Sequence, residues 1–310
     1  IPDFCDQFLY LLNLTRPSPE TVRSYKSKLN EFKAFLEEKK IKKITAITDD
    51  TIEKFIEYLQ TTKKINTVTI NNSLRFVRRF LNTAYEKKYI KNPIKVKLLR
   101  QGEIIKDTFS DREFKTMVND KTITKIGVMT KLFLAIGVRS RTMCNIKVDD
   151  IDFKTKNITC RITKNKKILI LPMVKSVARL LKEYIKIFGL SDNDYLFTNK
   201  YGRQFNRKTI ESNINKYLAT LKIEKRGVHI FRHTFAKKMA LAGAGTYILS
   251  SWLGDTAEVA ENYIRIFASD LRMTAEKFNP LAGIRLIEEK AKQEKIVPKF
   301  RTKARLIQSV

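Results

Sequence analysis

The sequence predicts a mainly α-helical chain with small β-hairpins, arranged in two domains, and three observations carry that prediction. Apolar residues recur at helical spacing through the first hundred residues, a basic stretch without clear period follows them, and two hairpin signals interrupt the helices beyond. With 43% hydrophobic and 10% aromatic residues, 310 residues can fill a substantial core, and this length favours two domains over one.

The helices follow in order. Ser18 before Pro19 is a good N-cap and first-turn pair, after which Tyr25, Leu29, Phe32 and Leu36 fall on one face. Asp50 and Glu53 resemble a capping box, and Ile52, Phe55, Ile56 and Leu59 repeat behind them. From Thr67 to Lys87 the pattern places Leu74, Val77, Leu81 and Tyr85 inside, Arg75 and Arg79 outside, and Arg78 at the margin. Asn92-Pro93 closes this domain, expected over residues 1–96, with a linker at 97–107. Ser110 and Glu113 then restart a helix with a second capping box. Residues 157–172 read as a hairpin, NITCRIT and ILILP around a KNKK turn; YLFT and RQF around NKYG read as another. From about Arg207 to Phe278 the pattern is helical, interrupted near Gly243 and Gly245. The second domain is expected over 108–282, ahead of a basic tail at 283–310 that holds an amphipathic stretch from Arg285 to Lys295.

A net charge of +30, from 62 basic against 32 acidic residues, makes a polyanion the natural partner, and nucleic acid fits best. Residues 1–100 hold 21 basic and 11 acidic residues, so the first domain shares in that attraction. No apolar run approaches the ~18 residues that span a bilayer, and the start lacks the basic region of a signal peptide. A soluble, cytoplasmic protein without membrane contact is therefore expected. The chain opens on Ile1 and not Met, which leaves room for an upstream segment. Cys5, Cys144 and Cys160 show no paired spacing and fit reduced core thiols, and with only two histidines, His229 and His233, a histidine metal site has little support.

Four segments carry chemistry. GVHIFRHTFAKKMA places His229 and Arg232 on one face at a helix start, with Phe235 and Ala236. AIGVRSRTMCNIKVDDID holds Arg139 and Arg141, the first hairpin turn holds Lys164, and ILSSWLGDTAEVAENYIRI holds Trp252, Asp255 and Tyr263. Arginine suits a phosphate because its planar fork grips two oxygens at once and never loses its charge.

HIFRHTFA resembles the HxLRHTFA box of the tyrosine recombinases, the family of phage integrases and Xer proteins. The upstream segment resembles the family's other arginine box and matches its catalytic arginine to Arg139, with Arg141 a neighbour. Thr142 stands where the family carries an acidic residue. The hairpin resembles the family's lysine hairpin, with Lys164 in the general-acid position. The last segment resembles the stretch bearing the third box and the nucleophile, which falls on Tyr263. There the pattern departs: Asp255 replaces a histidine or tryptophan, the gap to Tyr263 is one residue short, and nearby Trp252 is a substitute hydrogen-bond donor. Thr21, Tyr25 and Asn92-Pro93 resemble the opening and close of the family's core-binding domain.

The resemblance implies a helical core-binding domain plus a tyrosine-recombinase catalytic domain, closing on duplex DNA. It implies a tetramer that exchanges strands through a Holliday junction on a mobile element or chromosome, with accessory DNA-bending proteins as further partners and a nucleoid location. By the same resemblance Tyr263 forms a 3'-phosphotyrosine, Arg139 and Arg232 hold the phosphate, His229 assists proton transfer and Lys164 protonates the 5'-oxygen. No cofactor, ATP or metal is implied. After the nucleophile, a helix carrying Leu271, Ala275 and Phe278 is expected to dock on a neighbouring subunit. For Asp255 two arrangements are open: a carboxylate turned from the phosphate to hold His229 or an arginine, which is favoured, or a protonated acid giving the hydrogen bond that histidine gives. The alternatives to an enzyme are a catalytically weakened DNA-binding relative, acting as an accessory or regulatory protein, and a basic scaffold.

Overall fold

The structure, a computed structural model, describes residues 1–102, 106–161, 168–199 and 201–264, with the backbone alone at residues 2, 3 and 262–264. The chain divides into two compact units, Ile1–Ile104 and Ile105–Val310.

The first unit is a bundle of helices α1 (Pro2–Leu14), α2 (Pro19–Glu38), α3 (Asp49–Thr61) and α4 (Thr67–Glu86). The opening segment is thus a helix, with Phe4, Phe8 and Leu12 buried at intervals of four. Ser18 caps α2, accepting from the Thr21 amide at 3.2 Å. Helix α3 begins two residues before the expected position: Thr48 is its N-cap and shares a reciprocal box with Thr51. Asp50 instead sits in the first turn, where its charge favours the positive helix end and pairs with Lys54 at 2.8 Å. The core is aromatic: Phe8, Phe32, Phe35, Phe55 and Phe80 are fully buried, and Phe32 meets Phe55 edge-on at 4.9 Å. Tyr85, expected inside, is 44% exposed because the last turn of α4 runs past the core.

The second unit is built around α6 (Lys125–Ile136), which buries Val128, Met129, Leu132, Phe133 and Ile136. Around it lie α5 (Asp111–Asn119), α7 (Ser140–Cys144), α8 (Lys175–Phe188), α9 (Arg207–Thr220), α10 (His229–Leu241), α11 (Thr246–Leu253) and α12 (Ala257–Ile264). Ser110 and Glu113 form the expected capping box of α5. Strands β1 (Ile151–Asp152), β2 (Asn157–Cys160) and β3 (Leu169–Pro172) make one antiparallel sheet in that order, with Ile158 opposite Leu171 and Cys160 opposite Leu169. The first hairpin is therefore present, with β1 as an added strand, while its turn at 162–167 lies outside the described residues. The second hairpin signal reduces to one bridge, Thr198 to Gln204. Its turn is held by a side chain: Asn199 Oδ1 accepts from the amides of Tyr201 and Arg203.

Cys144 and Cys160 are buried free thiols pushed up to about 11 and about 12 by that burial, and so are unreactive. Among the described residues no helix is long and apolar enough to cross a membrane.

Candidate active site

Arg232 is 2% exposed, and a guanidinium at that depth is tolerated only if its donors are matched. Helix α10 buries it beside Phe231 and Thr234, one turn after His229. Nη1 donates to the Gly137 carbonyl and Nη2 to the Leu253 carbonyl, each at 3.0 Å. Both acceptors exist because two helices end at this point on left-handed glycines, Gly137 (φ +61°) after α6 and Gly254 (φ +62°) after α11. Neither position has room for a β-carbon, since one on Gly137 would overlap the Phe235 ring and one on Gly254 would lie 2.8 Å from Leu169 Cδ1.

Each glycine also delivers a site residue. Two residues after Gly137, Arg139 takes an extended conformation as the N-cap of α7, and its side chain is 20% exposed. Directly after Gly254, Asp255 donates its amide to the Ser250 carbonyl at 3.0 Å, and its side chain is 4% exposed. The carboxylate bridges the two arginines: Oδ1 accepts from Arg139 Nη2 and Oδ2 from Arg232 Nη2. Asp255 therefore holds both arginines at once, where the favoured sequence reading had it turned aside on one group. Trp252 is not a spare donor, because its indole N–H goes to the Ile136 carbonyl at 3.1 Å.

His229 opens α10. Burial lowers its pKa, followed by the positive charges of Arg207, Arg232 and Arg139, so the imidazole is held neutral at neutral pH. Arg207, in the first turn of α9, was not singled out from the sequence. A cation in a helix's first turn, against the dipole preference, was the available signal. Burial, then Lys106, His229 and Arg232, pushes His233 down to about 4. Thr234 ties residues before α5 to this helix by accepting from the Phe109 amide at 2.8 Å.

The fold thus brings Arg139, Arg232 and Asp255 into direct contact, with His229 in reach of both arginine charges. Arg141 is exposed on α7, and Thr142 is buried. Tyr263 falls in the last turn of α12, whose first turn is capped by Thr256, with Oγ1 accepting from the Val259 amide at 3.4 Å. Lys164, the helix expected at 271–278 and the basic tail lie outside the described residues.

A model of the phage integrase family matches residues 107–268, and one of the phage integrase SAM-like domain matches residues 2–98. A tyrosine recombinase of Pseudothermotoga lettingae is 28% identical over 251 residues, covering 79% of this chain and 86% of that protein. Tyrosine recombinase XerC of Thermodesulfovibrio yellowstonii is 27% identical over 286 residues, covering 86% and 92%. Among solved structures, a lambda integrase dimer bound to a core site superposes with a TM-score of 0.67 at 12% identity, covering 84% of this chain and 96% of that one. The Tn1549 transposon integrase with circular-intermediate DNA gives a TM-score of 0.67 at 18% identity, covering 88% and 99%.

Proposed function

The chain belongs to the phage integrase family of tyrosine recombinases, and from this premise we propose that it cuts and rejoins duplex DNA at specific sites through Tyr263. The phenolic oxygen of Tyr263 forms a bond to phosphorus as the bond to the 5'-oxygen breaks, leaving a 3'-phosphotyrosine. Arg139 and Arg232 bind the non-bridging oxygens and offset the charge added in the pentavalent transition state. His229, held neutral, takes up the phenolic proton, and Lys164 supplies one to the departing 5'-oxygen. Rejoining reverses these steps, with a 5'-hydroxyl from the partner duplex as nucleophile.

One observation carries this reading: two arginines 93 positions apart in sequence converge on a single anion, Asp255. A basic surface alone does not need such convergence. With it go a tetramer on DNA, exchange through a Holliday junction, accessory DNA-bending proteins and a cytoplasmic, nucleoid-associated location. A solved lambda integrase tetramer on a Holliday junction has a TM-score of 0.66 to this chain.

The test uses DNA that co-purifies with the native protein, rebuilt as duplexes nicked near the crossover so that the cleaved end diffuses away. A covalent protein–DNA species on a denaturing gel is expected from the parent protein. It should vanish in Tyr263→Phe while the native gel shift persists. A parent protein that binds such duplexes specifically and never forms the adduct would be the DNA-binding relative instead.

A further inference from the structure

We propose that Asp255 is an internal competitor for the scissile phosphate, an anion that occupies Arg139 and Arg232 until a DNA phosphodiester displaces it. The proposal rests on the reading of those arginines as the phosphate site.

A guanidinium offers two forks that can grip two oxygens together, one formed by Nε and Nη2 and the other by Nη1 and Nη2. Both require Nη2. In Arg232 the two Nη2 hydrogens are engaged, one by the Leu253 carbonyl and one by Asp255 Oδ2. With Asp255 in place, no phosphate can take Arg232 in bidentate fashion. Arg139 gives one of its two Nη2 hydrogens to Asp255 Oδ1, so the carboxylate sits on both cations while closing the forks of Arg232 alone. The carboxylate presents two oxygens on one centre to two cations, which is how the non-bridging oxygens of a diester would sit between them. A carboxylate that merely oriented Arg232 would leave a fork of that guanidinium open.

Release falls to the Asp255 side chain and not to its backbone. Gly254 is pressed against Leu169, and the Asp255 amide is tied to Ser250, so the turn is pinned. Rotation about the side-chain bonds returns the carboxylate to water, which costs free energy that a single anion must supply alone. A duplex in register offsets it through its many other phosphate contacts. Asp255 thereby discriminates against lone phosphates and poorly seated DNA, an unfavourable element of the kind specificity needs.

The test uses the full chain as parent, Asp255→Asn, Arg139→Ala and the double variant. Inorganic phosphate is titrated against chloride at constant ionic strength, with two readouts. One is the fluorescence of Trp252, the chain's one tryptophan, three residues from the carboxylate. The other is the unfolding temperature, which rises with any ligand that binds the folded state. Asp255→Asn should bind phosphate more tightly than the parent, by about tenfold or more, because an internal anion lowers the apparent affinity to the fraction of sites it leaves open. Arg139→Ala added to it should cancel the gain. If Asp255→Asn folds only when phosphate is present, that result supports the proposal equally. Weaker phosphate binding in Asp255→Asn would make the residue an orienting group and overturn the proposal. Equal binding in parent and Asp255→Asn, with Arg139→Ala weakening both, would overturn it while leaving the arginines as an anion site. No response in any variant would remove the arginine reading along with it.

Discussion

Gly137 lies against the face of Phe235, so closely that a β-carbon on the glycine would stand 2.8 Å from Cγ of the ring. Phe235 is one turn after Arg232 on α10, and the Gly137 carbonyl accepts from Arg232, so one contact locks the end of α6 to the helix that carries the buried arginine. Gly137→Ala combines overpacking with a left-handed φ of +61°. A loss of about 2–4 kcal/mol in denaturant unfolding is expected. A loss near zero would mean that the two segments part without cost.

Arg232→Ala should act on stability and chemistry in different proportions. It leaves Asp255 with Arg139 and strips a donor from the Gly137 and Leu253 carbonyls, which should cost about 3–5 kcal/mol. Single-turnover cleavage should fall by several orders of magnitude, with a much smaller loss of duplex affinity, since one phosphate among many matters more to the transition state than to binding. Gel shifts and cleavage measured at one salt concentration decide the matter. Equal losses in both would reduce Arg232 to an electrostatic anchor.

His233 should make the fold acid-sensitive over a defined window. Its pKa falls from 6.5 to about 4 on folding, chiefly through burial, so between those values the unfolded chain binds more protons than the folded one. Stability is then complete above about pH 6.5 and declines as pH falls toward 4. Melting curves across that range should show the decline, and His233→Gln should flatten it if the fold survives the change.

The rate of adduct formation offers a second pH test, this time of His229. With the neutral imidazole as the proposed proton acceptor and its pKa lowered from 6.5, the acid limb of the rate should lie below that value. His229→Gln should lose the limb along with most of the rate. A limb at or above 6.5 would assign the titration to another group.

Much of this arrangement was legible in the chain because it is local. Arg139 and Arg232 stand in short segments whose residue order carries the resemblance, and the alternation of residues 157–172 marks two strands without reference to anything distant. Boundaries were less legible: Thr48, Asp49 and Asp50 can each cap a helix, and only the path of the chain selects Thr48. Tyr85 lies on the apolar face of α4, yet whether that face is covered in its last turn depends on where the neighbouring helices stop. The bridge at Asp255 depends on two left-handed helix ends meeting across more than a hundred residues, and no periodicity reports such a meeting. The same holds for Trp252, whose indole N–H finds Ile136 only in the folded unit.

The contact of Leu169 with Gly254 has a mechanical consequence. Leu169 is the first residue of β3 and pairs with Cys160, so the strand returning from residues 162–167 is anchored on the turn that presents Asp255. The two parts share a pivot. Bulk added at residue 169 would press on Gly254, the residue that precedes the carboxylate between the arginines.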